Sequence, residues 1–401
     1  MSRDVETINS RPMRDPKIRA IADWLTDGAR SAVQPQEVLA QLSDRLVACG
    51  IPLWRVAVFV RTLHPQVMGR RFIWHPGSEV QASEAPYELL ETAEFRDSPI
   101  ARVYETGRPI RRRLADPEVA LDFPVLADLR AQGVTDYLAA PLLFTDGAIH
   151  VVTCTTREPG GFTDAQIAGI EAIMTPLARV AEIRALRRTA SVLLDTYVGH
   201  DAGERILGGH IRRGDIEEIH AAIWLSDMRG FTALADRQPP RVLIELLNRY
   251  FDCQVPVILD HGAEVLKFMG DGLLAIFTIA GDEPEVCKRA LAAARQAQAN
   301  VAALSRSAMP GLRFGLALHI GDVLYGNIGS ANRLDFTCIG PAVNFAARIE
   351  KLAGELGRGI LASNEFARHC RGEFTALGEF TLPGFSAAQT VFGLEDEVPL
   401  R

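Results

Sequence analysis

The second half of the chain contains two aspartates whose surroundings suit phosphate chemistry, and Asp227 is the first of them. It follows the apolar run 221–225 and precedes Met228-Arg229-Gly230, a glycine turn before a helical pattern. An aspartate in this position is typical of a helix cap. The alternative is chemical, because a carboxylate fixed at a strand end beside free backbone N–H groups is what Mg²⁺ with bound phosphates requires.

The second aspartate, Asp271, lies in Met269-Gly-Asp-Gly272 between the apolar runs 265–268 and 273–277. Asp-Gly between two such runs is a strong hairpin signal. Lys267 stands four residues before Asp271. Aspartate suits a turn and a strand lysine is usually an exposed edge residue, so neither identifies a site alone.

The predicted elements bring the two aspartates together. A helix from Pro240 to about Leu259 precedes the hairpin, and an alanine-rich helix over 283–304 and a strand over 312–320 follow it. This β-α-β-β-α-β order is that of a ferredoxin-like palm, in which the first strand neighbours the hairpin. Two carboxylates with no basic residue between them predict a two-metal site.

A second pair of polar residues follows the segment 321–330, which its turn-forming residues predict to be a connector. Pro341 suits the first position of a helix, and Asn344 and Arg348, four residues apart, share one face of it. Each alone would be an ordinary surface residue. Together they offer an amide and a guanidinium that can meet negative charge on a phosphoryl group.

Residues 220–395 resemble the catalytic domain of class III adenylyl/guanylyl cyclases. Four matching stretches occur in the family's order: Ser226–Thr232, Lys267–Gly272, Gly326–Ser330 and Thr337–Glu350. Residues 374–392 are similar to the family's closing strands. The resemblance implies conversion of ATP to 3′,5′-cyclic AMP and pyrophosphate.

The resemblance also implies a role for each matching residue. Asp227 and Asp271 would hold two Mg²⁺ or Mn²⁺ ions per active site. Asn344 would orient the ribose, and Arg348 would stabilise charge at the α-phosphate as the 3′-hydroxyl attacks. Lys267 and Thr337 would read the base edge. The triphosphate would be cradled by the backbone amides of Met228, Gly230, Phe231 and Thr232.

The same residues favour adenine over guanine. The resemblance implies that guanylyl cyclases of this family have an acidic residue in place of Lys267 and a cysteine at the second base-reading position. Cys338 lies six residues before Asn344, whereas the family spacing of seven selects Thr337. A lysine has no acceptor for the guanine N–H groups, so we interpret the substrate as ATP.

Other interpretations remain open. Pro383-Gly384 stands where the family often has lysine before glycine, which leaves Arg313 and Arg333 as candidates for the terminal phosphates. The alternatives are a guanylate cyclase or a catalytically inactive, nucleotide-binding signalling module. A diguanylate cyclase uses a similar palm, but its Gly-Gly-(Asp/Glu)-Glu-Phe hairpin is absent from the sequence.

The first half of the chain resembles a GAF domain, a small-ligand or signalling module, over roughly 35–185. The similarity rests on three segments: Glu105-Thr-Gly-Arg-Pro109, Leu138-Ala-Ala-Pro-Leu142 and Gly161-Phe-Thr163. The module is either a sensor of an unknown small-molecule or protein effector or a dimerisation unit that binds nothing. Likewise, Arg111-Arg-Arg113 is either an anion site or a solvated face.

The predicted fold class is therefore α+β, with a GAF-like α/β domain, a helical connector and a ferredoxin-like palm. The predicted division is 1–34 for a polar tail and first helix, 35–185 for the GAF-like domain, 186–215 for a helical signalling linker and 216–401 for the cyclase. No internal repeat is visible, and in the family the metal aspartates come from one subunit and the lysine, threonine, asparagine and arginine from the other. The resemblance thus implies a homodimer with active sites at the subunit interface.

Composition limits the remaining function classes. At 401 residues with 48% hydrophobic content, the chain can bury the cores of two or three domains, and a net charge of −7 argues against a protein built to hold nucleic acid. Six scattered cysteines without metal or CxxC spacing predict reduced thiols in a cytoplasmic protein. No leader and no membrane span are expected, since no run of about 18 apolar residues occurs.

Overall fold

A computed structural model describes residues 15–307 and 311–397. The chain divides into two compact units, one up to Leu193 and one from Leu194. The polar tail predicted up to about Pro16 lies almost wholly outside the described residues. Among the described helices, none is both long and apolar enough to cross a membrane.

The first unit alternates helices with antiparallel strands. In chain order its elements are α1 (Pro16–Thr26), α2 (Pro35–Ala48), β1 (Arg55–Arg61), β2 (Val67–Trp74), β3 (Gln81–Pro86), a 3₁₀ turn (Tyr87–Glu91), α3 (Ala93–Arg96), α4 (Pro99–Thr106), β4 (Ile110–Arg112), α5 (Pro124–Ala131), β5 (Asp136–Leu143), β6 (Ile149–Thr156) and α6 (Asp164–Val198).

The six strands form one sheet in the order β3-β2-β1-β6-β5-β4, with apolar clusters on both of its faces. Two helix starts of this unit that the sequence predicted are confirmed. Ser98 caps α4 by accepting a hydrogen bond from the Ala101 N–H at 3.1 Å. Thr163 and Gln166 form the predicted capping box, each side chain bonded to the other's backbone N–H.

The arginine run 111–113 is neither a free anion site nor a purely solvated face. Arg111 pairs with the fully buried Asp136 at 2.7 Å, and Arg112 pairs with Asp122 at 2.5 Å. Arg113 reaches Asp164 at 3.5 Å. These ion pairs join β4 to β5 and to the start of α6. They also give the buried carboxylate of Asp136 the counter-ion that it requires.

The second unit contains the predicted palm. Its elements are α7 (His200–Leu207), β7 (Ile216–Arg229), α8 (Phe231–Ala235), α9 (Pro240–Asp252), α10 (Val255–Asp260), β8 (Glu264–Met269), β9 (Gly272–Thr278), α11 (Glu283–Ser307), β10 (Arg313–Ser330), β11 (Arg333–Ile339), α12 (Pro341–Leu356), β12 (Ile360–Ser363), α13 (Asn364–Ala367), β13 (Phe374–Phe380) and β14 (Gln389–Leu394).

Its sheet runs β13-β14-β12-β10-β7-β9-β8, and β11 pairs with β10 beside this path. The core on one face centres on Trp224, Phe277 and Phe314, packed against α9, α10 and α11. A smaller core around Ile223 and Tyr325 lies beneath α12 on the other face. The predicted β-α-β-β-α-β order is confirmed, and β9 is the direct neighbour of β7.

Three element boundaries differ from the prediction. Strand β7 continues through Asp227 to Arg229, because β10 extends alongside it and pairs Gly315 with Asp227. The predicted helix 240–259 is two helices, broken before Pro256, which lacks an N–H and cannot continue the first. The predicted connector 321–330 is the second half of β10. Glycines there allow close backbone packing, for a Cβ at Gly326 would overlap the Asp215 carbonyl.

The buried His319 makes the stability of the second unit sensitive to acid. Burial lowers the pKa of His319 from 6.5 to about 4; the nearby Glu365 counteracts this effect and His220 adds to it. Its Nδ1 lies 2.8 Å from the Ser363 hydroxyl, and its ring meets Phe345 edge-on. Between these two pKa values the unfolded chain binds a proton that the folded chain does not.

We therefore expect the free energy of unfolding to fall as the pH drops from about 6.5 to about 4, by up to about 3 kcal/mol. His319→Gln, which keeps a polar atom but cannot become charged in this range, should reduce that fall. Urea unfolding of both proteins at several pH values measures it. His210→Gln, at an exposed position, is the control. Equal acid sensitivity of all three proteins would contradict the assignment.

Candidate functional site

The site centres on Asp227 in β7 and Asp271 in the two-residue turn between β8 and β9. Pairing of β7 with β9 ends at Ser226–Leu273, so the turn lies directly beside Asp227. Gly272 permits this approach, since a Cβ there would lie 3.1 Å from the Ser226 carbonyl and 3.4 Å from Asp227 Oδ1. The positive φ that a tight turn needs falls on Gly270, at 68°.

The two carboxylates also interact electrostatically. Burial is the largest cause that raises the pKa of Asp227 well above its ordinary value, followed by repulsion from Asp271 and Glu350. The buried Tyr250 on α9 lies close enough to feel both aspartates, which add to the effect of burial in raising its pKa. A cation at this point would relieve the repulsion.

A basic residue, Arg229, also lies near the aspartates, where it pairs with Glu350. Arg229 Nη1 is 2.8 Å from Glu350 Oε1, and Nη2 donates to the Glu350 backbone carbonyl at 2.8 Å. The Arg229 charge opposes the rise in the pKa of Asp227. Its side chain and that of Glu350 are only 19% and 12% exposed, so this ion pair is largely desolvated.

The Arg229 guanidinium occupies a slot between two glycines. A Cβ at Gly315 on β10 would overlap it, and a Cβ at Gly354 on α12 would lie 2.9 Å from Nη1. The ion pair therefore joins β7, which carries Asp227, to α12, which carries Asn344 and Arg348. Arg229 and Glu350 both lie in the segments that carry the family resemblance. They are 121 positions apart, and no sequence spacing predicts a contact between them.

The two predicted base-reading residues lie on β8 and β11. Lys267 is half-buried and opposite Leu274 in the hairpin register, with a bulge between it and Val265. Thr337 is 3% exposed, and its hydroxyl has no hydrogen-bond partner among the described residues. The structure also places Cys338 near Lys267. Burial raises the pKa of Cys338 to about 11, against the attraction of the Lys267 charge.

The remaining predicted residues are located as follows. Asn344 and Arg348 lie on the exposed face of α12, and Arg348 Nε donates to the Pro383 carbonyl at 3.2 Å. Gly230 precedes the five-residue α8, which contains Phe231 and Thr232. Met228 is a strand residue in register with Phe314 of β10. Among the described residues of this one chain, no side-chain hydrogen bond or ion pair joins these groups to one another.

The donor set at the aspartates fits a divalent ion with oxygen ligands. Across residues 15–307 and 311–397, no cluster of three or more histidine, cysteine, aspartate or glutamate side chains is arranged to hold a metal. Glu350 is already paired with Arg229, which leaves Asp227 and Asp271. One or two carboxylates together with substrate phosphates is the ligand set that Mg²⁺ commonly takes.

The Arg229–Glu350 pair predicts a measurable coupling in stability. Arg229→Gln should lower the free energy of unfolding by about 3 kcal/mol, because it leaves Glu350 partly buried without its counter-ion. Arg229→Gln with Glu350→Gln should lose less than the sum of the two single changes. Urea unfolding of the wild type, both single variants and the double variant measures this coupling.

The matched control is Arg295→Gln, which removes an exposed pair with Glu373 and Asp396. A surface pair of this kind contributes about 0–1 kcal/mol. Strictly additive losses at positions 229 and 350 would show that the two side chains do not depend on each other.

Comparison with known proteins finds a family model that matches most of this unit. The adenylate and guanylate cyclase catalytic domain model matches residues 216–395. An uncharacterized protein of Mycobacterium tuberculosis is 37% identical over 151 residues, which make up 37% of this chain and 27% of that protein. Adenylate cyclase 1 of Rhizobium meliloti is 27% identical over 173 residues, 42% of this chain and 26% of that enzyme.

The match thus spans about a quarter of the length of these relatives. Among solved structures, that of a bacterial light-regulated adenylyl cyclase is 28% identical in sequence, with a TM-score of 0.40. The alignment covers 45% of this chain and 91% of that one.

Proposed function

We propose that the chain converts ATP to 3′,5′-cyclic AMP and pyrophosphate, since residues 216–395 match the adenylate and guanylate cyclase catalytic domain model. The observation that carries the proposal is the juxtaposition of Asp227 and Asp271 across the β7–β9 pairing. A divalent metal, Mg²⁺ or Mn²⁺, held by these two carboxylates would supply charge neutralisation at the phosphates and a lower pKa for the attacking hydroxyl.

The protein's own groups have separate tasks in this proposal. Arg348, on the exposed face of α12, offers the fixed positive charge that transfer at the α-phosphate requires as the 3′-hydroxyl attacks and pyrophosphate leaves. Asn344, one turn earlier, orients the ribose. The N–H groups after the left-handed Gly230, with φ of 76°, contact the phosphates.

The preference for ATP rests on Lys267 and Thr337. Lysine donates hydrogen bonds and accepts none, which suits the acceptor nitrogens of adenine. The buried Thr337 hydroxyl, unpartnered in the described part of the chain, needs a partner that a base edge can provide. The nearby Cys338 keeps guanylate cyclase activity as the second candidate.

We also propose that two copies of the chain form the active sites together. Beyond Glu182, no residue of α6 is buried, and apolar side chains recur at alternating steps of three and four: Ile183, Leu186, Ala190, Leu193 and Tyr197. Ile183 is 51%, Leu186 62% and Tyr197 79% exposed. This heptad spacing is that of a two-helix coiled coil, which would align two chains in parallel.

The first unit is proposed to be a GAF-like module that regulates the cyclase through this helix. Its central antiparallel sheet with helices packed on both faces, and with α6 leading out of it, supports that assignment. The division into a domain over 35–185, a linker over 186–215 and a catalytic domain over 216–401 is part of the same proposal.

Incubation of the purified protein with ATP or GTP and Mn²⁺ tests the activity. We expect cyclic AMP from ATP and little product from GTP, as measured by chromatography. Arg348→Ala should reduce the rate by about 100-fold or more, the loss typical of removing a charge that acts on the transition state. Arg295→Gln, which changes a side chain paired with Glu373 and Asp396, should retain activity. Product from GTP alone would overturn the base assignment, and no product from either would favour a nucleotide-binding module.

Mixing two inactive variants tests the shared active site. Asp271→Ala lacks a metal carboxylate and Arg348→Ala lacks the arginine, so a mixed dimer would contain one intact site. We expect the mixture to regain activity up to about one quarter of the wild-type value if chains pair at random. A mixture no more active than its components would contradict the shared site.

A further inference from the structure

The first unit encloses a cavity of about 340 Å³ between one face of its sheet and the segment 94–104. The sheet contributes residues from β1, β2, β3, β5 and β6, and the segment contributes residues from α3 and α4. This volume lies near the lower end of the range of about 300–1,000 Å³ for small-molecule sites. The cavity therefore suits a small metabolite rather than a peptide.

Three arginines lie on the sheet face that forms its floor. Arg55 and Arg61 are six residues apart on β1 and so share one face, and Arg71 is on that face because it is opposite Phe59. Arg71 Nε donates to the Ser83 hydroxyl at 3.2 Å, and Arg61 lies over the Tyr104 ring. Among the described residues, none of the three arginines forms an ion pair with a carboxylate.

The charge of the cavity wall is positive. Four arginines line it, the fourth being Arg70, against two glutamates, Glu84 and Glu94. Glu84 also forms an ion pair at 3.6 Å with Arg188, which does not line the cavity. Burial lowers the pKa of Arg55, the nearby Tyr137 counteracts it, and repulsion from Arg71 lowers it further. Arg61 and Arg71 are exposed, whereas Arg55 is an unpaired, partly desolvated guanidinium that an anion would stabilise.

A buried hydroxyl on the same floor also lacks a partner. Thr153 is 2% exposed, lines the cavity, and shares the arginine face because it is opposite Ala57 of β1. Its Oγ1 has no hydrogen-bond partner within the described residues. Buried hydroxyls are nearly always hydrogen-bonded, so this one indicates a polar group that the cavity is built to receive.

We propose that this cavity binds a small organic anion. Its carboxylate or phosphate group pairs with Arg55 and Arg71 and accepts a hydrogen bond from Thr153, while its apolar part packs against the aromatic rings of the opposite wall. Phe95 and Tyr104 provide those rings, and Phe59 lies on the floor beside the arginines. The inference gives a ligand class to the regulatory role proposed above for the first unit. Its test measures binding, so it fails or stands independently of cyclase activity.

The test uses the full-length protein and three probes of similar size: phenyl phosphate, phenylacetate and the neutral 2-phenylethanol. Isothermal titration calorimetry at millimolar probe concentrations measures each affinity. We expect at least one anion to bind at one site per chain and the neutral alcohol to bind at least tenfold more weakly. Preference between the two anions distinguishes a phosphate ligand from a carboxylate ligand.

Three variants locate the binding. Arg55→Gln and Arg71→Gln should each weaken binding of the anion by about tenfold or more, the effect of losing one charge-assisted hydrogen bond. Arg130→Gln, an exposed arginine on α5 outside the cavity lining, should bind as the wild type does. The circular dichroism spectrum of each variant establishes that it is folded. Binding of neither anion, equal binding of the alcohol, or unchanged binding by both cavity variants would overturn the proposal.

Discussion

The pairing of β7 with β9 holds two carboxylates close together, and a nearby ion pair offsets part of their negative charge. Asp227 is fixed by the sheet and Asp271 by the turn that ends the β8–β9 hairpin, so neither can move away from the other. Like charges held together in a partly buried position are unfavourable without a cation. Arg229 supplies one positive charge nearby, and Glu350 holds that arginine in place. The local structure is thus organised around unbalanced negative charge, which is the property that a site for a metal–nucleotide complex requires.

The two units manage buried charge in different ways. In the first unit, Arg111 and the fully buried Asp136 neutralise each other and join β4, β5 and the start of α6. Among the described residues, Arg55, Arg61 and Arg71 on β1 and β2 of the same sheet have no such partner. A paired charge stabilises one arrangement of the backbone, whereas an unpaired charge beside a cavity gives a preference for a ligand.

Local sequence signals predicted most of the fold because they depend on neighbouring residues. The capping box of Thr163 and Gln166, the Ser98 cap and the hairpin around Asp271 follow from short-range geometry. The length of β10 did not, because its glycines suggested turns although the long partner β7 keeps them extended. The break before Pro256 could have been predicted from the proline alone. The Arg229–Glu350 pair could not, since it forms only when α12 packs against β7.

The slot that holds Arg229 also links three distant positions in a way that bears on how this sequence can diverge. Gly315 and Gly354 leave space that the guanidinium fills, so a side chain at either position would displace it, and a small residue at 229 would leave a void between strand and helix. The residues at positions 229, 315 and 354 are therefore expected to change together. A relative that lacks the arginine is free to carry larger residues at the other two, and one that keeps it is not.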